Sequence, residues 1–352
     1  MRVVSQFDVL FGFDSVLFGF DSQARVLQPR ARFSRLGVLA ATVLMFLAAY
    51  PAFAAVHTVT NLNDSGPGSL RDAIANAASG DTINFAVTGT VRLTSGELLI
   101  QNKNLTITNA AGPDTLTVLQ TNVPAGARVF HVDGGTVSIF GLTIADGSVE
   151  LSGGGGILNE NGADLTVNNC VIRNNSAPGG GGIENGEGAT LTLINSTLFS
   201  NSANPGAGGG LLNLGTATVR NSTFDHNRTY ASCSLVCLGG GGIFNDGSTV
   251  NDAVIAVSNS TFYDNSAFTA ELHAGEGAGF FNARFGSATI TSSTFVDDCG
   301  HVEISNFGFH LNDEGVIDQA KLTETLRRVQ PLAVLDNYIN EFAFSFAFTG
   351  VV

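Results

Sequence analysis

The stretch Gly153–Asn201 is one pattern written twice. The first copy runs Gly153-Gly154-Gly155-Gly156-Ile157-Leu158-Asn159, then Leu165-Thr166-Val167-Asn168-Asn169, then Ile172 to Asn175. The second runs Gly179-Gly180-Gly181-Gly182-Ile183-Glu184-Asn185, then Leu191-Thr192-Leu193-Ile194-Asn195, then Leu198 to Asn201. Matching positions lie 26 residues apart: Asn159 and Asn185, Asn169 and Asn195, Asn175 and Asn201. A period in the twenties built from short β-branched runs and Gly/Asn bends marks a solenoid. Each unit holds three strand-like runs and nothing long enough for a helix. Three strands per turn make one rung of a right-handed parallel β-helix, and rungs stack at about 4.8 Å. Apolar and polar positions alternate, so one face of each strand points into a shared core.

Gly and Asn do different work in such a coil. Asn tolerates a left-handed bend, and its amide can bond the equivalent Asn one rung away. Three ladders follow from the spacing: Asn159, Asn185, Asn213, Asn245 and Asn282; Asn169, Asn195, Asn221 and Asn259; and Asn175, Asn201, Asn227 and Asn265, with Asp298 in the last coil. The Gly runs resemble phosphate-cradling loops only in composition, since no Gly-Lys-Ser/Thr follows any of them.

Outward from the repeat, the chain divides into four parts: an upstream segment and signal peptide (1–55), an N-terminal cap (56–81), the β-helix (82–298) and a C-terminal cap or tail (299–352). Val9 to Ser15 is repeated without change at Val16 to Ser22, which points to a true start further downstream. Arg25, Arg30, Arg32 and Arg35, the apolar run Leu36–Ala49 and Pro51-Ala52-Phe53-Ala54-Ala55 together read as a secretory signal. The run is short for a membrane anchor, so the expectation is cleavage near Ala54 or Ala55, a secreted or cell-surface location, and no span in the mature chain. Within 56–81, Ser69 is a good N-cap for a short helix over Leu70–Ala77 that would cover the first coil.

From Thr82 to Leu151 the strand candidates are Val91–Leu93, Leu98–Ile100, Leu105–Ile107, Leu116–Leu119, Val129–Val132 and Val137–Ile144. Later coils lengthen through loops expected at Arg228–Leu238 and Ala267–Gly275. The expected total is about eight coils, a rod of about 40 Å from the strand spacing. In the tail, Asp313–Val329 reads as a helix, and Phe342, Phe344, Phe346 and Phe348 alternate as in a strand.

Ser69-Leu70-Arg71-Asp72-Ala73-Ile74, followed by Gly80-Asp81-Thr82-Ile83-Asn84-Phe85, resembles the N-terminal domain of bacterial proteins named for a Cys-Ser-Leu-Arg-Glu-Ala motif. Gly68 stands where that motif has Cys, and Asp72 where it has Glu. The Gly-Gly-x-Ile and Phe-x-x-Asn elements are similar to the repeats of polymorphic outer-membrane proteins. Over residues 56 to about 298 the resemblance implies a pectin-lyase-like right-handed β-helix, export, and a surface or adhesive role.

The composition excludes some partners. Of 352 residues, 16 are basic and 30 acidic, a net charge of −14; loss of residues 1–55 leaves 11 basic and 27 acidic. Nucleic-acid affinity rests on Lys/Arg clusters, so that partner is excluded. A polyanion would be repelled unless cations bridge it.

Chemistry-bearing motifs are sparse. Cys233 and Cys237 lie in an expected loop, as a disulfide or as two free thiols. Cys170 replaces a Ser of other coils and reads as a packed residue. Asp297-Asp298-Cys299-Gly300-His301 holds two acids, but neighbouring strand residues point to opposite faces, and no Arg-x-Lys accompanies them. No metal or cofactor motif occurs. Tyr230 and Tyr263 are the best exposed aromatic candidates for ligand contact. The expectation is a monomeric, non-catalytic structural, adhesive or glycan-binding protein with a carbohydrate or cell-surface ligand. The alternative is a polysaccharide lyase or glycoside hydrolase on the same scaffold.

Overall fold

In the computed structural model the described residues are 54–121, 126–231, 239–247, 253–269, 277–283, 286–296, 298, 304–306 and 348–349. The signal segment, Cys233, Cys237, Asp297, Cys299, His301 and the Asp313–Val329 stretch lie outside them. The described chain is a parallel β-solenoid. Three long sheets hold ten, eight and eight strands, each strand pairing with the one a turn earlier and a turn later. A representative rung passes from Ile183–Asn185 to Thr190–Ile194 to Thr197–Phe199. These belong, in order, to the third, first and second sheets, and a four-stranded fourth sheet lies between the second and third.

The regular solenoid amounts to about 6 turns, slightly fewer than the eight expected, and the eight-stranded sheets run one strand further at either end. The expected run Val137–Ile144 is two strands, Thr136–Phe140 and Thr143–Ala145, because Gly141 at φ 71° turns the chain between sheets. The fourth sheet was not expected. Its strands include Ser176–Gly179, Ser202–Ala207, Arg228–Ala231 and Ser266–Thr269, so the two expected loops begin as strands. The first two are made of Ser, Ala, Asn, Pro and Gly, which carry no strand propensity.

The core follows the alternation. In the first-sheet strands Thr136–Phe140, Asp164–Asn168, Thr190–Ile194 and Thr216–Arg220 the second and fourth residues, such as Leu191 and Leu193, are buried. Phe224, Phe262 and Phe295 stack from rung to rung, with centroids 4.9 and 4.4 Å apart and nearly parallel planes. Cys170 is buried, and desolvation pushes its thiol up to about 11, so it packs as a small apolar residue.

Two Asn columns run inside the coil. Asn159, Asn185, Asn213, Asn245 and Asn282 form a chain of amide bonds at 2.6–2.8 Å. Asn175, Asn201, Asn227, Asn265 and Asp298 form another at 2.9–3.0 Å. The third set differs: Asn169, Asn195, Asn221 and Asn259 hold left-handed corners at φ 49–52°, and three of the four side chains face outward. Asn221 bonds Asn195, but Asn195 donates to Asn168, so this column is a set of bends more than a continuous ladder.

The helix Leu70–Asn76 is N-capped by Ser69, whose hydroxyl accepts from the Asp72 amide. Leu70, Ala73 and Ile74 enter the core, and Lys103 Nζ donates to the Ile74 and Ala75 carbonyls at its C-terminal end. Arg71 reaches from the helix to the Gly96 and Glu97 carbonyls at 2.9 and 2.6 Å. Phe348–Thr349 pairs in parallel with Ile290–Thr291.

Candidate functional site

Two groups of outward side chains stand out, on different sheets. The first lies at the C-terminal ends of three adjacent strands of the second sheet. Its strands place Phe199, Asp225 and Tyr263 in register on successive rungs. The next residue on each rung, Ser200, His226 or Asp264, sits at a left-handed corner with φ 49–54°. The His226 imidazole lies between the Phe199 and Tyr263 rings, with centroids 5.8 and 5.9 Å away. Its Nδ1 bonds Asp225 Oδ1, and its Nε2 is 2.7 Å from Asp264 Oδ2. Three rings and two carboxylates thus form one strip across three rungs. Tyr263 is 42% exposed. Tyr230 belongs to the fourth sheet, half-buried and stacked on Phe268 at 5.6 Å, so the two candidate tyrosines stand on different sheets.

The second group lies on the third sheet. The positions in register there that point away from the main core are Leu99, His131, Leu158, Glu184, Leu212, Phe244 and Phe281, and of these Leu158, Phe244 and Phe281 are buried, the two phenylalanines in a separate apolar cluster. Apolar residues dominate, and His131 and Glu184 break the row. His131 Nδ1 lies 2.9 Å from Glu97 Oε1, and its Nε2 lies 2.8 Å from Glu160 Oε1. The Glu97 contact pulls the imidazole above its ordinary value and in return holds Glu97 below the usual carboxylate range. Arg128, buried beside them, donates to Glu97 Oε2 at 3.1 Å and to Ser152 Oγ at 2.6 Å. Its Nε is buried with no partner among the described residues. Arg71 fixes the backbone at Gly96 and Glu97, so the cap motif anchors one end of this group.

Glu184 stands one rung beyond the strand of Glu160 and two beyond that of His131. Its carboxyl fills space that a Cβ on Gly153 would occupy, and it lies against Gly179. Burial pushes its pKa up to about 7; Arg128 pulls it down and Glu160 pushes it further up. A carboxyl that is about half protonated near pH 7 can donate a proton. Sequence reading passed over all five of Glu97, Arg128, His131, Glu160 and Glu184. The available signal was positional: Glu184 holds the slot that Leu158, Leu212, Phe244 and Phe281 fill in other rungs.

Asp298 continues the Asn265 column, its Oδ1 accepting from the Asn265 backbone and side-chain nitrogens at 2.7 and 3.0 Å. Among the described residues no group of three or more His, Cys, Asp or Glu is arranged to hold a metal ion. No described helix is long and apolar enough to cross a membrane.

Comparison with known proteins gives one family and a few partial likenesses. A probable pectate lyase C of Neosartorya fischeri is 44% identical over 64 residues, which is 18% of this chain and 14% of that relative's length. The solved pectate lyase Pel9A is similar at 12% identity, over 69% of this chain and 70% of that one, with a TM-score of 0.36. The catalytic unit of a thermostable GH87 alpha-1,3-glucanase from Streptomyces thermodiastaticus is similar at 17% identity, over 71% and 55%, with a TM-score of 0.30. The family model described as the right-handed β-helix region matches residues 125–313, more than half of the sequence, and the chain belongs to that family.

Proposed function

We propose that this is an exported, monomeric carbohydrate-binding β-helix whose ligand lies along the Phe199–His226–Tyr263 strip. The observation that carries this reading is the run of three rings on successive rungs, flanked by Asp225 and Asp264. Aromatic faces offer flat apolar area to the C–H faces of sugar rings, and carboxylates accept hydrogen bonds from their hydroxyls. Rungs about 4.8 Å apart repeat such contacts along a line, as an extended glycan requires. The net charge of −14 favours neutral glycans over polyanionic ones. The short identity to a probable pectate lyase supports a carbohydrate partner.

The test is affinity electrophoresis or calorimetry of the purified protein against neutral and uronic-acid polysaccharides, with and without Ca²⁺. The expected result is retention on a neutral polymer, weakened at least tenfold by Tyr263→Ala. Equal retention of the Tyr263→Ala variant rules the strip out.

A further inference from the structure

His131 meets a carboxylate at each of its two ring nitrogens. Nδ1 lies 2.9 Å from Glu97 Oε1, and Nε2 lies 2.8 Å from Glu160 Oε1. Glu97 directly precedes the strand Leu98–Gln101, His131 lies in Phe130–Asp133, and Glu160 ends Ile157–Glu160. These three strands are neighbours in the third sheet, so one imidazole ties three successive rungs. On the near side, Arg71 of the capping helix donates to the Glu97 carbonyl at 2.6 Å. On the far side, Ile157–Glu160 directly follows the first Gly run, Gly153 to Gly156. The bridge therefore joins the capped rungs to the regular repeat.

The bonding capacity of the ring sets its proton count. An ionised carboxylate only accepts, a neutral imidazole has one N–H, and an imidazolium has two. Both contacts are hydrogen bonds when both nitrogens carry protons. A neutral ring turns a lone pair toward one of the two carboxylates, at 2.8 or 2.9 Å. Glu97 is held ionised from two sides: the His131 contact keeps it below its ordinary 4.5, and Arg128 Nη1 donates to its Oε2 at 3.1 Å. The Glu97 contact, and then the Glu160 contact, raise His131 above its ordinary 6.5, against burial and the Arg128 charge. Asp133, which also feels the His131 charge, is bonded by Asn161 and Gln101 at 2.7 Å each and stays below the usual carboxylate range. Glu184, one rung beyond Glu160, feels the charges of Arg128 and Glu160.

We infer that Glu97, His131 and Glu160 form a pH-sensitive clamp between the capped rungs and the repeat, closed while the His131 ring carries two protons and opened on its Glu160 side when the ring loses one. The side that opens follows from the partners. Glu97 keeps Arg128 as a second partner. The Glu160 side chain bonds His131 alone among the described residues and is 37% exposed. The remaining ring proton therefore stays at Nδ1 on Glu97, and Glu160 turns to water. His131 is raised in the folded chain, so its contribution is full below about pH 6.5 and is lost as pH rises through the folded value. Glu97 is lowered, so its contribution is present above about pH 4.5 and is lost as pH falls through the folded value. Between those limits the clamp is closed. Above them the Asp133 bonds to Gln101 and Asn161 still hold the same three rungs, so opening loosens the junction without unfolding the coil.

The test has two arms. The first is nitrogen NMR of the His131 ring in the purified native protein, titrated from about pH 5 to about pH 10 and assigned through its own backbone. Both ring nitrogens are expected to be protonated at about pH 6, with a midpoint above the ordinary 6.5 and the proton lost from Nε2. The second is a double-mutant cycle of His131→Gln and Glu160→Gln in urea, at about pH 6 and at a pH above that midpoint. A coupling of at least about threefold in the unfolding constant is expected at the lower pH, and none at the higher. The first arm needs no variant, so a substitution that fails to fold leaves the clamp open to refutation. A neutral ring at about pH 6, a midpoint at or below 6.5, or a coupling equal at the two pH values overturns it.

Discussion

Asn201 and Asn195 are the same residue type used in two ways. Asn201 is buried: its Oδ1 accepts from the Asn175 backbone and side chain, and its Nδ2 donates to Ile172 O and Asn227 Oδ1. Asn201→Ala leaves these groups unpaired inside the coil, a cost on the order of 3 kcal/mol in urea unfolding. Asn195 is exposed at φ 49°, so Asn195→Gly keeps the bend and costs less than about 1 kcal/mol. Equal losses for the two variants contradict the distinction. Glu184 makes a third case. Its folded pKa is about 7 against an ordinary 4.5, so the folded state binds the proton more tightly than the unfolded one. Its effect is absent below about pH 4.5 and grows unfavourable as pH rises toward 7, by at most about 3 kcal/mol. Glu184→Gln therefore raises Tm near pH 8 and leaves it almost unchanged near pH 4. An equal shift at both values contradicts the burial of this carboxyl.

At the scale of elements, the rung is held by repetition. The column Phe224–Phe262–Phe295 places like rings face to face on adjacent rungs. Phe262 sits in the middle, so Phe262→Ala opens a cavity between two rings and costs about 3–5 kcal/mol, seen as a lower urea midpoint at unchanged slope. A loss under about 1 kcal/mol would mean that the column is not close-packed. The rung was legible in sequence because each corner demands a particular residue: Asn where two buried amides must bond, and Gly where a Cβ cannot fit. Gly182 shows the second demand, since its Cβ would lie 2.6 Å from the Gly210 carbonyl oxygen one rung on. The fourth sheet was illegible for the opposite reason. Its backbones pair without apolar alternation, and Ser176–Gly179 offers neither β-branched nor aromatic residues to mark it. The Glu97–Arg128–His131–Glu160–Glu184 group was illegible as well. Its members come from four successive rungs, and only stacking brings them together. Tyr263 stands out in sequence for lying near an inserted segment and is 42% exposed, whereas its neighbour Phe199 is brought to it only by register across the rungs.

Across the described solenoid, the two groups give different faces different chemistry. The strip on the second sheet carries three rings and two carboxylates, and the third sheet carries the charged group of Glu97, Arg128, His131, Glu160 and Glu184. Because the strip spans three rungs, its contacts act together on a polymer and weakly on a single sugar. A monosaccharide of the bound polymer is accordingly expected to compete only at a concentration at least a hundredfold above that of an oligosaccharide spanning the strip, in a competition assay. The measurement that tests the central claim most directly is calorimetric titration of the purified protein with the retained neutral oligosaccharide, beside the double variant His226→Ala/Tyr263→Ala. The account predicts saturable binding by the native chain and its loss in the double variant at unchanged Tm. Undiminished binding by a folded double variant would contradict it.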